Sequence, residues 1–480
     1  MAAAEIHETH TGVVALVGEK AYKAKKAVTT DFLDFSSVEQ REKVCLREVR
    51  LNQRLAPDSY LGVAHFSDPQ GGPPEPVIVM RRYPDSRRLT SIVVNGEPVM
   101  EHLSAIAEVI ARFHAGAERS EDIDRAATVP AVAGRWRDNL TELRKYAGTV
   151  VPAESLAEVD RLYDQFIAGR TALFDGRIAE RRIVDGHADL LTGDIFCMPD
   201  GPAILDCLEF DDALRHVDCC DDAAFLAMDL EFLGRRDLAD YFIAEYQRLS
   251  GDTPPPALVD FYIAYRAGVR AKVDCIRVDQ GDTSAADDAR RHLDIALDHL
   301  RRGAVRLVII GGGPGTGKTT LAHGLAEQVA ARVISTDDVR RELQERGLVD
   351  GAAGILNEGL YSSENVAAVY EAVLDKARET LAMGQSVILD GTWRDPDLRR
   401  RAREMAADQK CPTAELSCTV PLDEAKQRIV QRRVTNSDAT PQIAEGLASD
   451  ADWSDAHPIN TRRPLADSVA EAQRICCSAI

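Results

Sequence analysis

Residues 312–319 read GGPGTGKT, which satisfies G-x-x-x-x-G-K-[ST], with the apolar run RLVII before them and the helical pattern TLAHGLAEQVA after them. Glycines at these places let backbone N–H groups turn inward around phosphate oxygens, and the start of the following helix adds its positive dipole end. Lys318 then neutralises phosphate charge and the Thr319 hydroxyl suits Mg2+. Gly312, Gly313, Pro314, Gly315, Thr316, Gly317, Lys318, Thr319 and Thr320 therefore form the expected ATP-binding loop. Downstream, ISTDDVRREL ends a strand and opens a helix. Asp337 there can take a proton from an acceptor hydroxyl or simply cap the helix. Arg340 and Arg341 can hold an anionic acceptor or stay solvated. SVILDGTW puts Asp390 at the carboxyl end of another strand, where it suits the Mg2+ shell. Arg428, Arg432 and Arg433 in QRIVQRRVTNSDATP are dense enough for a lid over a transferred phosphate, with ATP contact expected at Arg432; a basic helix face is the plainer alternative.

A second constellation lies upstream. DGHADLLTGDIF carries His187, Asp189 and Asp194, and AILDCLEFDD follows with Asp206 and Glu209. Phosphoryl transfer needs one carboxylate placed to accept a hydroxyl proton and others to hold Mg2+ on ATP, because positioning and charge neutralisation supply most of its catalysis. On a later helical stretch, YIAYRAGVRAKVD, Arg266 and Arg270 stand four residues apart on one face, able to greet an anionic substrate or to remain solvated.

These residues have to be positioned by two different architectures. Over the first 85 or so residues, short β-like runs such as GVVALVGEKAYKAKK and PVIVMRRY alternate with one helical stretch near residues 37–55, predicting a small sheet that carries one helix. Helical spacing dominates residues 98–147, 152–172, 219–250 and 255–278, and a last helix runs to about Arg302, with Gly303 as its stop. From Arg306 the runs RLVII, VIST and SVILD alternate with helices, which predicts a parallel α/β sheet. Two unlike domains follow, residues 1–303 and 304–480: α+β first, then α/β.

Composition excludes several classes. The 480 residues hold 58 Lys and Arg against 78 Asp and Glu, a formal charge of −20 that repels nucleic acid and anionic membrane. No apolar run reaches the ~18–20 residues of a membrane span, and the first residues lack the pattern of a signal peptide. The expected location is the cytoplasm. Ten cysteines without a CxxC pair predict reduced, buried thiols.

Two resemblances cover the chain. From about Arg306 onward the loop, STDDVRREL, ILDGTW and RRVTNSDA resemble the small P-loop kinases of the AAA-33 group, which include polynucleotide kinase, gluconate kinase and zeta-toxin-like proteins. That resemblance implies Asp337 as the acceptor-side carboxylate. Upstream, His187 to Asp194 and Asp206 to Glu209 resemble the aminoglycoside phosphotransferase and choline kinase group of the protein-kinase-like fold, with its HxDxxxxN loop and IDxxD or IDxxE metal segment. It implies a bilobal fold with Asp189 as catalytic base, Asp206 and Asp194 on Mg2+, Glu209 in support, and Asp222 fixing the loop from below. Asp194 stands where the family has Asn. The fold also implies a strand lysine for the ATP phosphates, Lys25 with Lys23 as the other choice, a helix glutamate, Glu48, and a hinge at Met80 to Tyr83; no GxGxxG precedes Lys25.

As a whole the chain resembles a bacterial fusion described as bifunctional. The implied activity is ATP- and Mg2+-dependent phosphorylation of a small-molecule acceptor such as a sugar, amino sugar or aminoglycoside, with no nucleic acid or membrane partner. Two alternatives stand beside it: a kinase-like half that only senses a ligand, or a P-loop half that is a toxin-like or conformational ATPase.

Overall fold

The computed structural model describes residues 5–8, 12–28, 35–67, 71–351, 358–431, 445 and 453–480. The chain divides into two compact units, one made of residues 1–156, 175–254 and 262–297, the other of residues 157–174, 255–261 and 298–480. Among the described residues no helix is long and apolar enough to cross a membrane.

The first unit begins with five antiparallel strands: β1 (Glu5–Glu8), β2 (Gly12–Val17), β3 (Lys20–Lys25), β4 (Tyr60–Phe66) and β5 (Glu75–Arg81), in the order β1-β2-β3-β5-β4. Helix Val38–Asn52 lies between β3 and β4 in sequence, and the Ser37 hydroxyl caps it by accepting from the Gln40 N–H at 3.2 Å. Its buried residues Cys45 and Val49 pack with Tyr60 and Ile78 of the sheet. Strand alternation puts Lys23 and Lys25 on one face of β3.

The remainder of the unit is helical, apart from two short two-stranded pieces that carry the acidic motifs. β6 (Ile183–Asp185) pairs with β9 (His216–Asp218), and β7 (Ile195–Met198) pairs with β8 (Gly201–Ile204). Helical stretches that look continuous in sequence are broken here. Residues 98–147 give Met100–Gly116 and Val129–Arg144 around a short Glu121–Asp124 turn, and residues 219–250 give Cys219–Phe232 and Arg236–Ser250 with Gly234 between them.

The second unit holds a parallel sheet of five strands: β10 (Leu307–Gly311), β11 (Ala331–Ser335), β12 (Ser386–Asp390), β13 (Thr413–Thr419) and β14 (His457–Asn460), ordered β11-β12-β10-β13-β14. Three of these match the apolar runs in the sequence; β13 and β14 do not stand out there. β13 mixes Thr, Glu and Ser with its apolar residues, and β14 is a four-residue edge strand containing Pro458, which an edge tolerates. Val308, Ile310, Ile388 and Leu416 join Leu321 and Val469 in the core of this unit. Because β10 connects outward to β11 while β13 lies on its other side, the strand order reverses at β10. Open α/β sheets bind ligands at the carboxyl ends of such strands.

All ten cysteines are free; nine are buried, and Cys477 is exposed.

Candidate active sites

Helix Val38–Asn52 brings the fully buried Glu48 against the lysine face of β3. Glu48 Oε1 lies 2.8 Å from Lys23 Nζ, and its Oε2 lies 2.6 Å from Lys25 Nζ. Each lysine reaches a second carboxylate: Lys23 pairs with Asp206 at 2.6 Å and Lys25 with Glu209 at 2.7 Å. Two cations and three carboxylates thus join β3, the helix and the segment from Asp206 to Glu209. Burial by itself would lower the pKa of Lys23, but Asp206 and Glu48 outweigh it and hold the ammonium well above its ordinary value.

The two lysines differ in access. The Lys25 side chain is 2% exposed and enclosed by its carboxylates, whereas that of Lys23 is 17% exposed and stands beside Asp206. Lys25, the first choice for the phosphate lysine, is the deeper of the two and braces Glu48 and Glu209, whereas Lys23 is the more exposed. In the hinge stretch, the N–H groups of Arg81 and Arg82 already donate to the Ser59 and Glu19 carbonyls, and the buried Tyr83 ring stacks on Phe196 at 5.1 Å.

The loop after β6 is held from below, as its sequence implies. Asp222 accepts from the His187 N–H at 2.7 Å and the Ala188 N–H at 2.8 Å, and His114, absent from the sequence reading, meets the same carboxylate at 3.0 Å. Burial opposes ionisation of Asp222, yet His114 and these N–H donors hold its carboxyl well below the usual carboxylate range. Gly186 is required by space, since a Cβ there would fall 2.5 Å from Asp222 Oδ2 and 2.7 Å from Val217. His187 is neutral: burial pushes it down to about 4, its Nε2–H donates to the Leu205 carbonyl at 3.1 Å, and Nδ1 accepts from the Asp189 N–H at 3.3 Å. One imidazole thereby ties the loop of Asp189 to the strand that leads into Asp206.

Asp189 itself is pushed up to about 7, first by burial, with Asp206 adding to the rise and the nearby Arg270 charge working against it. Asp194 rises to about 8 through burial and the neighbouring Asp206 and Asp189. Burial also acts on Asp206, but contact with Lys23 wins and lowers it. Thr192 anchors the Asp194 turn by donating through its N–H and hydroxyl to Asp229 at 2.7 and 2.6 Å.

Among the described residues no group of three or more His, Cys, Asp or Glu side chains is gathered as a metal cage. Mg2+ needs none, since it is commonly held by one or two carboxylates, substrate phosphates and water. Asp194 and Asp206 fit that role: both supply hard oxygen donors, and their mutual repulsion is of the kind a dication relieves.

Arg266 requires a correction. It is buried, donates through Nε and Nη2 to Asp221 at 2.7 and 2.9 Å and through Nη1 to the Ala188 carbonyl at 3.3 Å, so it supports the loop and is not free for substrate. Arg270 is one turn further along helix Pro256–Asp279, half-buried, and makes no hydrogen bond or ion pair with a described residue.

In the second unit the phosphate loop follows β10, and helix Lys318–Gln328 starts at once after Gly317. Gly312 has φ +136°, and a Cβ there would meet the Cys418 carbonyl at 2.6 Å. Lys318 Nζ donates to the Gly313 carbonyl at 3.0 Å, and the Thr316 hydroxyl to the same oxygen at 2.8 Å. The Thr319 hydroxyl donates to Asp390 Oδ2 at 2.6 Å. Adjacency of β10 and β12 makes that contact, with Ile310 opposite Asp390 in register. Burial raises the Asp390 carboxyl against the pull of Lys318 and Thr319. This hydroxyl–carboxylate pair is a fitting donor set for Mg2+.

Asp337 lies in the first turn of helix Thr336–Glu345 and pairs with Arg340 at 2.6 Å, while the Ser335 hydroxyl provides the cap. Arg340 is buried over the Tyr361 ring at 4.7 Å; Arg341 is exposed. Among the described residues, the buried Nε of Arg340 and Nε1 of Trp393 have no hydrogen-bond partner. Arg428 does not stand free as a lid: it pairs with Glu424 at 2.7 Å and holds Thr461, whose hydroxyl donates to the Thr316 carbonyl at 2.6 Å. No sequence signal marked Thr461. Arg432 and Arg433 lie outside the described residues.

Comparison with known proteins adds the following. A family model described as an AAA domain, AAA_33, matches residues 307–449. An uncharacterized protein of Mycobacterium tuberculosis strain H37Rv is 56% identical over 477 residues, 99% of this chain and 96% of that protein. The chain belongs to its family. Among solved structures, a choline/ethanolamine kinase family protein from Mesorhizobium loti is 16% identical and aligns over 62% of this chain and 92% of its own, with a TM-score of 0.38. A sugar kinase from Janibacter sp. is 19% identical over 36% of this chain and 98% of its own, with a TM-score of 0.29. The C-terminal part, residues 307–449, is thus an AAA_33 domain that carries the phosphate loop.

Proposed function

We propose that the chain is an ATP- and Mg2+-dependent small-molecule kinase with two phosphotransfer sites, working in the cytoplasm on a small hydroxyl-bearing acceptor. The observation that carries this reading is the run of contacts Glu48–Lys23–Asp206 next to Asp189, a phosphate-facing lysine braced by a helix carboxylate and set beside a metal-type carboxylate and a base. In the first site Asp189 takes the proton of the acceptor hydroxyl as its oxygen bonds to the γ-phosphorus and the bond to the β-phosphate oxygen breaks, releasing ADP. Lys23 contacts the phosphates. Asp206 and Asp194 would hold Mg2+, which would supply charge neutralisation on the nucleotide. In the second site the loop from Gly312 to Thr320, with Lys318, Thr319 and Asp390, holds the nucleotide, and Asp337 faces the acceptor.

The charge beside Asp189 comes from Arg270, whose guanidinium has no ion-pair partner among the described residues. This favours an acceptor that carries a negative group over a cationic aminoglycoside. ADP release with mass detection of products, on wild type, Asp189→Asn and Lys318→Ala against sugars, sugar acids, aminoglycosides and nucleosides, tests the reading. Loss of a different product in each variant is the expected result; ATP consumption without any phosphorylated product overturns it. The second reading, a sensing module in place of the first kinase site, is favoured by the residue type at Asp194, a carboxyl where the resembled family has an amide. It predicts that only Lys318→Ala loses activity.

A further inference from the structure

A cavity of about 950 Å3 opens in the first unit beside helix Val38–Asn52, away from the lysine face of β3. That volume is within the range of small-molecule sites. Glu48 and Arg50 are two positions apart on the helix and so project to nearly opposite sides: Glu48 to Lys23 and Lys25, Arg50 into the cavity. Five arginines line it beside four carboxylates, Glu118, Asp122, Asp185 and Asp212. Arg47 and Arg215 are bound to Asp212, Arg215 also to Asp185 at 2.8 Å, and the lining carboxylate Asp122 is bound to Arg125. That leaves Glu118 against two available guanidinium groups. Arg50 makes no ion pair with a described residue, and Arg112 meets only Glu108 in an exposed pair at 2.8 Å, an interaction of little worth in water.

Arg54 connects this cavity to the chemistry. It lines the wall with its guanidinium 5.2 Å from the Phe113 ring, and it donates to the Asp185 carbonyl at 3.1 Å, the Gly186 carbonyl at 2.9 Å and Cys207 Sγ at 3.3 Å. Those three acceptors are the two residues before His187 and the residue after Asp206. The same wall therefore bears on the Glu48 helix, the base loop and the metal segment.

We propose that this cavity is a regulatory site for a small polyanion bearing phosphate or carboxylate groups, taken by Arg50 and Arg112, whose binding restrains the Asp189 loop through Arg54. Planar guanidinium forks suit both anion types. Calorimetric titration of pyrophosphate and of citrate, without Mg2+, into full-length Lys318→Ala protein tests it, since that background weakens the phosphate loop as a competing anion site. At least one of the two anions is expected to bind, and at least tenfold more weakly when Arg50→Ala and Arg112→Ala are added. Both arginines are exposed, so these changes leave the core intact. Amide exchange over residues 185–189 is expected to slow with ligand in the parent and not in the triple variant. Absence of binding by both anions, or equal binding with and without the two arginines, overturns the site. Unaltered exchange in the liganded parent overturns the coupling. None of these readouts uses phosphotransfer, so they stand apart from the kinase reading.

Discussion

A carboxyl group that titrates near neutrality makes activity and stability pull in opposite directions. Asp189 must be ionised to act as a base, so kcat/KM for the first site is expected to rise with pH through about 7. Its unfolded-state pKa is about 3.9, so the fold binds the proton more tightly than the unfolded chain does. The stability linked to that proton is complete below the unfolded value and lost as pH rises through the folded one. Asp189→Asn should therefore lower turnover about 10²–10⁴-fold while raising Tm at pH 8 in the absence of nucleotide, a gain that is smaller at pH 5 and gone below about pH 4; thermal melts across that range check it. The lysines divide in another way. Lys25→Met takes from the buried Glu48 one of its two cations and from Glu209 its only ion-pair partner among the described residues, and should lower stability in denaturant titrations by up to about 3–5 kcal/mol. Lys23→Met should spare more of the stability and remove most turnover. The family resemblance called for a strand lysine and the alternation of β3 put Lys23 and Lys25 on one face, but which one is enclosed depends on where Asp206 and Glu209 arrive from 183 and 184 residues away.

Secondary-structure elements act here mainly by their ends. Asp337, Asp390 and the phosphate loop converge because β11, β12 and β10 are neighbours whose carboxyl ends lie side by side, and that adjacency follows from strand order, which local sequence does not state. The individual strands were legible because they are short apolar runs bounded by polar turns. β13 and β14 were not, because their burial is decided by tertiary partners and not by their own pattern. In the first unit, β6 and the Cys219–Phe232 helix meet at Gly186, where no side chain fits. Gly186→Ala should cost about 1–3 kcal/mol and displace the base loop, so a lower Tm and a lower kcat are expected together. Near-native values for both would show that Asp222 can move aside at no cost. The cap and stop signals at Ser37 and Gly303 were readable for the opposite reason: they depend on residues only a few positions away.

At the scale of the whole chain, the proposal of two phosphotransfer sites with separate lysines predicts that Lys318→Ala and Asp189→Asn act independently, each removing one product and sparing the other. The acidic total charge was readable by counting, whereas the arginine cavity inside an acidic protein was not, since it is assembled from residues spread between positions 47 and 216. The cysteines carry a different consequence. With nine thiols enclosed and Cys477 exposed, a sulfhydryl reagent has one place to react on the native protein and ten on the unfolded chain. Labelling against time then works as a stopwatch: a slow phase independent of reagent concentration gives the opening rate, and one proportional to it gives the opening equilibrium. Since Cys45, Cys197 and Cys207 sit in one unit and Cys411, Cys418 and Cys476 in the other, the order in which labelled peptides emerge in a mass spectrum tells which half of the molecule lets go first.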